Sequence, residues 1–287
     1  MFDALPAAPV VLLGLAAALT WGAADFGGGL ASRRAPLIGV MLFVQAIGVV
    51  IALGLWAVRG EAVPGSADIA WAAIAGVFGA VGIAGLYRSL AVGPMSIVAP
   101  VIGVIGASLP VIVGFALEGL PRPIVVAGIG LAILAVVLVS RAADAGSAGG
   151  RTGLAYALAA GIGIGLFSVA ISRVGEGLVF GPLIVVRAVA TAIFVGLVLF
   201  AHQRWRIPRP TWRLVAVVAL LDLLGNASFV AATQAGELAV ASILGSLYPV
   251  STVLLAAFVL RERISRSHAA GIVVAGVAIA CIAGGSA

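Results

Sequence analysis

The sequence predicts an all-α integral membrane protein with ten transmembrane helices, arranged as two inverted five-helix repeats. Three observations predict this fold class: the composition, the lengths of the apolar segments and an internal match between the two halves. Of its 287 residues, 63% are hydrophobic and only 9% are charged, whereas ordinary globular domains are about 45–50% apolar and about 25% charged. A soluble protein cannot expose that much apolar surface to water, whereas a bundle of lipid-facing helices can expose it to the membrane.

The apolar segments are long enough to cross a bilayer as helices. Crossing a hydrocarbon core of about 30 Å takes about 20 helical residues, and a helix satisfies its own backbone hydrogen bonds where lipid cannot. We predict spans at 8–30, 36–58, 68–90, 94–117, 123–140, 152–171, 179–201, 212–234, 238–260 and 267–284. Short connections rich in proline, glycine and arginine separate them.

The longest polar connection, Arg141–Arg151, divides the chain into two predicted repeats, residues 1–146 and 147–287. The halves match in order, since GLAAAL at Gly14 aligns with GLAYAL at Gly153. Further matches follow in the same order along both halves. Because five is odd, two such halves must cross the membrane in opposite orientations, which is the inverted-repeat design of many secondary transporters.

The positive charge is distributed unevenly among the connections. The net charge is +6, and all sixteen basic residues are arginine. Twelve of them lie in connections after odd-numbered segments, three after even-numbered ones, and Arg187 lies within a span. By the positive-inside rule this places the odd connections in the cytoplasm and both termini outside. We expect a multi-pass protein of the cytoplasmic (inner) membrane, in contact with membrane lipid and with no nucleic-acid partner.

Signatures of soluble enzymes are missing from the sequence. No histidine, cysteine and carboxylate cluster has metal-ligand spacing, and no Walker-type phosphate loop occurs. The single cysteine, Cys281, excludes a disulfide within the chain. We therefore expect no metal, no cofactor and no enzymatic activity.

The run from Ala231 to Ser265, AATQAGELAVASILGSLYPVSTVLLAAFVLRERIS, resembles the EamA-type members of the drug/metabolite transporter superfamily. The resemblance is carried by a Leu-Tyr-Pro step at 247–249 and by the Glu-Arg ending at 262–263. Arg187 is similar to an arginine common near the start of the second span of each repeat in that family. The first half departs from the pattern, with methionine at the position equivalent to Arg187.

This resemblance implies two inverted five-helix repeats and the export of small metabolites, often amino acids. Two other functions stay open at this point. One is a channel or lipid-translocating protein of the same superfamily. The other is a membrane-embedded enzyme, which would need polar catalytic residues clustered at one membrane face.

Charged and amide side chains within the spans are the first candidates for a substrate site. A charge in mid-span costs at least about 2.5–3.5 kcal/mol unless it faces protein or water. Asp25, Arg187 and Asp222 are such charges, and Asn226 lies one turn after Asp222. They are either substrate contacts or proton carriers around a central cavity, or they form an ion pair between Arg187 and one of the aspartates. Gln45 is either a contact between helices or part of the cavity lining.

Aromatic side chains provide further candidates. Trp21 lies deep in the first span, where it could stack on a substrate. The hydroxyls of Tyr87, Tyr156 and Tyr248 need partners among apolar neighbours. Pro249, directly after Tyr248, removes a backbone hydrogen bond and can open a kink.

Three residue types have a structural interpretation. Glu118 and Glu262 end their spans and are expected to cap helices or pair with arginines. Pro249 is likewise expected to have a structural role. Glycines at short intervals, such as Gly76, Gly79 and Gly82, predict close packing between helices.

The sequence thus predicts a small-molecule substrate bound near the membrane midplane between the repeats. Arg187 would help to hold the carboxylate of an amphipathic amino acid. The driving force is either a proton, carried by Asp25 or Asp222, or the substrate's own gradient.

Overall fold

The structure is a computed structural model, and the regular elements of its described part are all helices. The described residues are 8–118, 150–235 and 247–261, with short stretches at 123–124, 126–128, 130–131, 134, 244–245, 269–270, 273–274, 276–278 and 280–281. The predicted fifth and tenth spans, and the boundary between residues 146 and 147, lie largely or wholly outside them. The count of ten helices therefore stays a prediction.

Eight α-helices and one short 3₁₀ helix are defined within the described ranges. They are α1 (Ala8–Arg34), α2 (Leu37–Arg59), α3 (Ser66–Val92), α4 (Met95–Glu118), α5 (Gly150–Ile171), α6 (Phe180–Phe200), the 3₁₀ helix (Arg209–Thr211), α7 (Trp212–Ala235) and α8 (Tyr248–Val259). Within the described residues, six helices are long and apolar enough to cross a membrane. The prediction of a multi-pass helical membrane protein is confirmed.

The ninth predicted span differs from the structure at its centre. We predict one helix over 238–260, but the chain turns at Leu247 and α8 begins at Tyr248, with Pro249 in its first turn. The Leu247 N–H donates to the Leu244 carbonyl at 3.2 Å, which marks a tight turn before the new helix. Proline has no N–H and clashes with a preceding helical turn, so it favours a helix start over a helix interior. Pro249 therefore lies in the first turn of α8 rather than inside a longer helix.

The helices of the two halves pack against one another. α1 lies against α7 and α8, α2 against α6, and α3 against α5. Glycine allows the closest of these approaches, because a Cβ on Gly82 would lie 2.8 Å from the backbone nitrogen of Ile164 in α5. Where no hydrophobic effect drives helices together, such smooth surfaces allow close contact between backbones. Gly82 therefore has the packing role predicted from the sequence.

Two acidic side chains, one just after α2 and one in the first turn of α3, accept hydrogen bonds from the backbone between α5 and the start of α6. The Glu61 carboxylate accepts hydrogen bonds from the N–H groups of residues 179, 180 and 181 at 2.8–3.0 Å. These N–H groups lie at the start of α6, where a helix leaves its donors unpaired. The Asp68 carboxylate accepts from Gly65 N at 3.1 Å and from Gly175 N at 2.9 Å.

The opposite end of the bundle is rich in arginine. Arg33, at the end of α1, donates to the carbonyls of Leu90 and Gly93 after α3. A cleft of about 280 Å³ opens beside it, lined by Pro36, Leu37, Ile38, Arg88, Gln203 and Arg204. Among the described connections, those after α1, α3 and α6 thus meet at this end and those after α2 and α5 at the Glu61 end, as alternate crossing of a membrane requires.

Candidate functional site

A buried ion pair joins α6 and α7. Arg187 Nη2 donates to Asp222 Oδ2 at 2.7 Å, and the two side chains are only 3% and 9% exposed. From α2, the Gln45 Oε1 accepts a further hydrogen bond from Arg187 Nη1 at 3.3 Å. Of the two sequence-based interpretations of Arg187, its contacts match the ion pair, with Asp222 rather than Asp25 as the partner.

The Arg187 guanidinium packs against α2 at a position where that helix has a glycine. A Cβ on Gly48 would lie 2.9 Å from Arg187 Cζ, so any side chain at that position would displace the charged group. Gly48 follows Gln45 by three residues and therefore lies on the same face of α2. Gly48 was not predicted as part of the site, although its three-residue spacing from Gln45 is a signal in the sequence.

Asn226 supports the acidic side of the pair. Its Nδ2 donates to the Asp222 backbone carbonyl at 2.7 Å and lies 3.5 Å from Asp222 Oδ1. The amide is therefore held within α7, one turn after Asp222, with only a long contact to the carboxylate.

Asp25 is the second buried carboxylate of this region. It is 5% exposed, and its carboxylate accepts no hydrogen bond from any residue that the structure describes. It interacts electrostatically with Asp222 on α7, Tyr248 on α8 and Tyr87 on α3. When all groups are ionised, two aspartates and one arginine leave the cluster with one negative charge in excess.

Two buried tyrosines lie in the same region as Asp25. The Tyr87 and Tyr248 hydroxyls are buried and have no hydrogen-bond partner within the described ranges. The Tyr87 ring lies directly on the backbone of Gly28, one turn after Asp25, where a Cβ would overlap it. The Tyr248 hydroxyl lies near Gly103 of α4, at 3.7 Å from the position of a Cβ there.

Trp21 adds an aromatic wall one turn before Asp25. Its ring centroid lies 5.2 Å from that of Phe229 and 6.4 Å from that of Tyr248, the latter edge to face. Gly225 lies under the indole, since a Cβ there would be 2.8 Å from Trp21 Nε1. Phe229 and Gly225 were not predicted, because phenylalanine and glycine are common in any membrane helix.

The remaining candidates lie elsewhere. Tyr156 is 38% exposed on α5, and the Arg88 guanidinium carbon lies 5.7 Å from its ring centroid. The structure therefore places Tyr156 at the arginine-rich end and not in the cluster. The side chain of Glu118 and the whole of Glu262 lie outside the described residues. Pro249 packs against α4, where a Cβ on Gly103 would lie 2.6 Å from its Cγ.

The cluster around Arg187, which we call the central cluster, thus comprises Trp21, Asp25, Gln45, Tyr87, Arg187, Asp222, Asn226, Phe229 and Tyr248. Helices from both halves of the chain contribute to it. The fold and this buried polar region define a multi-pass helical membrane protein with charged side chains buried inside its helix bundle.

Comparison with protein families gives a match in the second half of the chain. Residues 151–284 match the EamA-like transporter family, which is part of the drug/metabolite transporter superfamily. The resemblance inferred from the sequence is therefore confirmed over these residues.

Comparison with solved structures extends the likeness to the whole fold. A protein crystal structure superposes with a TM-score of 0.64, covering 95% of this chain and 96% of the other at 19% sequence identity. At that identity the likeness concerns the fold alone. Comparison with curated proteins gives no match.

Proposed function

We propose that the protein is a secondary transporter that exports small metabolites across the cytoplasmic membrane, with amino acids as the first substrate class. Aromatic and other amphipathic amino acids are the members of that class that suit an aromatic-lined site. The observation that carries the proposal is the central cluster, because charged side chains from both halves are buried together within spans.

Burial of charge in a membrane helix is costly and usually serves a function. A site between two halves that move relative to one another can open first to one side of the membrane and then to the other. The start of α8 at Tyr248 supports this placement, since helix ends border the substrate sites of many transporters. The Trp21 and Tyr248 rings lie edge to face at that helix start.

The ion pair with Asp222 limits the role that Arg187 can have in substrate binding. Because Asp222 already neutralises the guanidinium at 2.7 Å, a substrate carboxylate would have to share or displace that partner. A proton remains the candidate coupling ion, and the substrate's own gradient is the alternative driving force. The alternative is a channel or a lipid-translocating protein of the same superfamily. The experiment below distinguishes that alternative from a carrier.

The test is counterflow of labelled amino acids into liposomes that contain the purified full-length chain, with and without a pH gradient. Saturable uptake that is stimulated by unlabelled substrate inside the vesicle is expected of a carrier and not of a channel. Asp222→Asn is expected to abolish it. Tyr156→Phe, which alters a tyrosine outside the cluster, is expected to leave it unchanged.

Two results would contradict the proposal. The first is the absence of counterflow for every amino acid tested, with protein that elutes as a folded species. The second is normal transport by folded Arg187→Ala and Asp222→Asn variants, which would separate transport from the central cluster.

A further inference from the structure

The cleft at the arginine-rich end of the bundle has both a cationic and an apolar lining. It lies between the start of α2, the last turns of α3 and the connection after α6, and its volume is about 280 Å³. Two arginines, an amide and three apolar residues line it: Arg88, Arg204, Gln203, Pro36, Leu37 and Ile38. None of them belongs to the central cluster, so the proposed transport site does not account for this cleft.

The positive charge of the cleft is not balanced by the side chains that the structure describes. Arg88 and Arg204 are both exposed, and neither forms an ion pair with a described carboxylate. The described carboxylates lie in the central cluster or at the opposite end of the bundle: Asp25, Asp222, Glu61, Asp68 and Glu176. The cleft is therefore complementary to an anion.

Arg88 is held in place by a contact that uses no acceptor. Its guanidinium carbon lies 5.7 Å from the centroid of the Tyr156 ring on α5. A cation is attracted to the face of an aromatic ring without an oxygen partner. Because a guanidinium has five N–H donors in a planar fork, donors of Arg88 remain for a ligand in the cleft.

The connection after α6 is folded onto α2, which fixes Arg204 beside the cleft. The chain reverses at His202, whose φ is 50°. The N–H of Gln203 then donates to a carbonyl in the last turn of α6 at 3.3 Å. The Trp205 carbonyl packs directly on Gly39 of α2, where a Cβ would overlap it. Arg204 thus lies between two residues whose backbones are held.

Two tryptophans place this region at the level of lipid headgroups. Trp205 and Trp212 are 40% and 37% exposed. Their ring centroids lie 6.1 Å and 4.3 Å from that of Phe43 on α2. Half-exposed tryptophans of membrane proteins are enriched at the boundary between hydrocarbon and water. Arg204, directly before Trp205, therefore lies at the depth of phospholipid phosphates.

We propose that this cleft binds the headgroup of an anionic phospholipid, with Arg88 and Arg204 donating to its phosphate oxygens. Arginine binds phosphate through charge-assisted hydrogen bonds that are often paired. The apolar residues at the start of α2 would contact the part of the lipid that joins the phosphate to the acyl chains. In the predicted orientation this end faces the cytoplasm, where anionic lipids give the membrane surface its negative charge.

The apolar lining favours a lipid over a soluble phosphate. Free phosphate would be bound by the two arginines alone, and it would gain nothing from Leu37 and Ile38. A zwitterionic lipid would gain the apolar contacts, but its own ammonium group would face two cations. An anionic phospholipid satisfies both parts of the lining.

The experiment is native mass spectrometry of the purified, delipidated full-length chain in a neutral detergent. The probes are phosphatidylglycerol and phosphatidylcholine with identical acyl chains, and glycerol 3-phosphate is the soluble competitor. We expect phosphatidylglycerol to bind more tightly than phosphatidylcholine and to resist displacement by glycerol 3-phosphate. Its affinity is expected to fall as ionic strength rises, because salt screens exposed charges.

The variant Arg88→Gln with Arg204→Gln removes both cations of the cleft. We expect it to weaken phosphatidylglycerol binding by about 25-fold, or about fivefold for each arginine near an anionic lipid. Arg209→Gln with Arg213→Gln is the matched control, because it removes two exposed arginines of the same end that do not line the cleft. The control is expected to bind phosphatidylglycerol as the unchanged protein does.

Three results would overturn the proposal. Equal affinity for the two lipids would remove the anion site, and that comparison needs no variant and does not depend on variant folding. Equal losses in the two double variants would assign binding to diffuse charge instead of the cleft. Displacement by glycerol 3-phosphate would assign the cleft to a soluble phosphate. The measurement involves no transport, so its failure leaves the proposed function standing, and absence of counterflow leaves the lipid site standing.

Discussion

The sharpest test of the buried ion pair is replacement of Arg187 by methionine. Methionine fills much of the same volume and carries no charge, so the variant mainly removes the positive partner of Asp222. The Asp222 carboxylate is left 9% exposed, with the long Asn226 contact and with Asp25 nearby.

The size of the effect follows from the geometry. At 2.7 Å and an effective dielectric constant of about 20, the attraction between the two charges is about 6 kcal/mol. Removing both ions from water offsets much of that gain, so breaking such a pair from one side costs about 3–5 kcal/mol of stability. Replacing both partners by apolar residues, as in Arg187→Met with Asp222→Leu, is expected to cost far less than either single change.

The assay is a double-mutant cycle of unfolding free energies, measured by denaturant titration of the four proteins in the same detergent. We expect each single variant to lose several kcal/mol and the double variant to recover most of that loss. Single losses below about 1 kcal/mol, the value for a solvated surface pair, would refute a buried pair. Additive losses in the double variant would refute the coupling between Arg187 and Asp222.

Three further predictions concern stability, each measured as a thermal midpoint in detergent. Asp25→Asn is expected to raise the midpoint because an uncharged amide replaces a buried carboxylate that has no cation beside it among the described residues; a lower midpoint would mean that the carboxylate stabilises the fold. Glu61→Gln is expected to cost about 1–2 kcal/mol, as for loss of a helix cap, whereas Glu176→Gln on the exposed neighbouring connection should change little. Gly82→Ala is expected to destabilise, because the added Cβ meets the backbone of α5. Gly54→Ala, which meets nothing within 4 Å, should stabilise α2 by about 0.5–1 kcal/mol, and equal effects at both glycines would contradict the packing described.

The spans themselves could be predicted from sequence because the bilayer fixes their length. Hydrocarbon thickness demands about 20 apolar residues, and the predicted bounds of α1 to α7 differ from the structure by a few residues. The exception at Leu247 has a local cause, since hydropathy averages over a proline that starts a new helix. An average of that kind contains no information about where backbone hydrogen bonds are interrupted.

The site could be predicted only in part. Asp25, Arg187 and Asp222 are conspicuous because charge is rare in these segments, but the choice of partner for Arg187 depends on how distant helices pack. Gln45 and Arg187, for example, are 142 residues apart in the chain. Gly48 and Phe229 were missed because their residue types occur throughout the spans. Glu61 lies in a connection, where a carboxylate gives no indication that it will cap another helix.

The packing of α1 against α7 and α8 constrains how the protein is made. Gly22 of α1 accepts a hydrogen bond from Thr252 of α8, 230 residues later in the chain. During synthesis α1 enters the bilayer long before these neighbours exist, with Asp25 still without the helices that bury it. The face of α1 that α7 and α8 cover therefore stays uncovered until the last part of the chain is inserted. A chain truncated before α7 would leave that face, with Asp25 on the same helix, without these two neighbours.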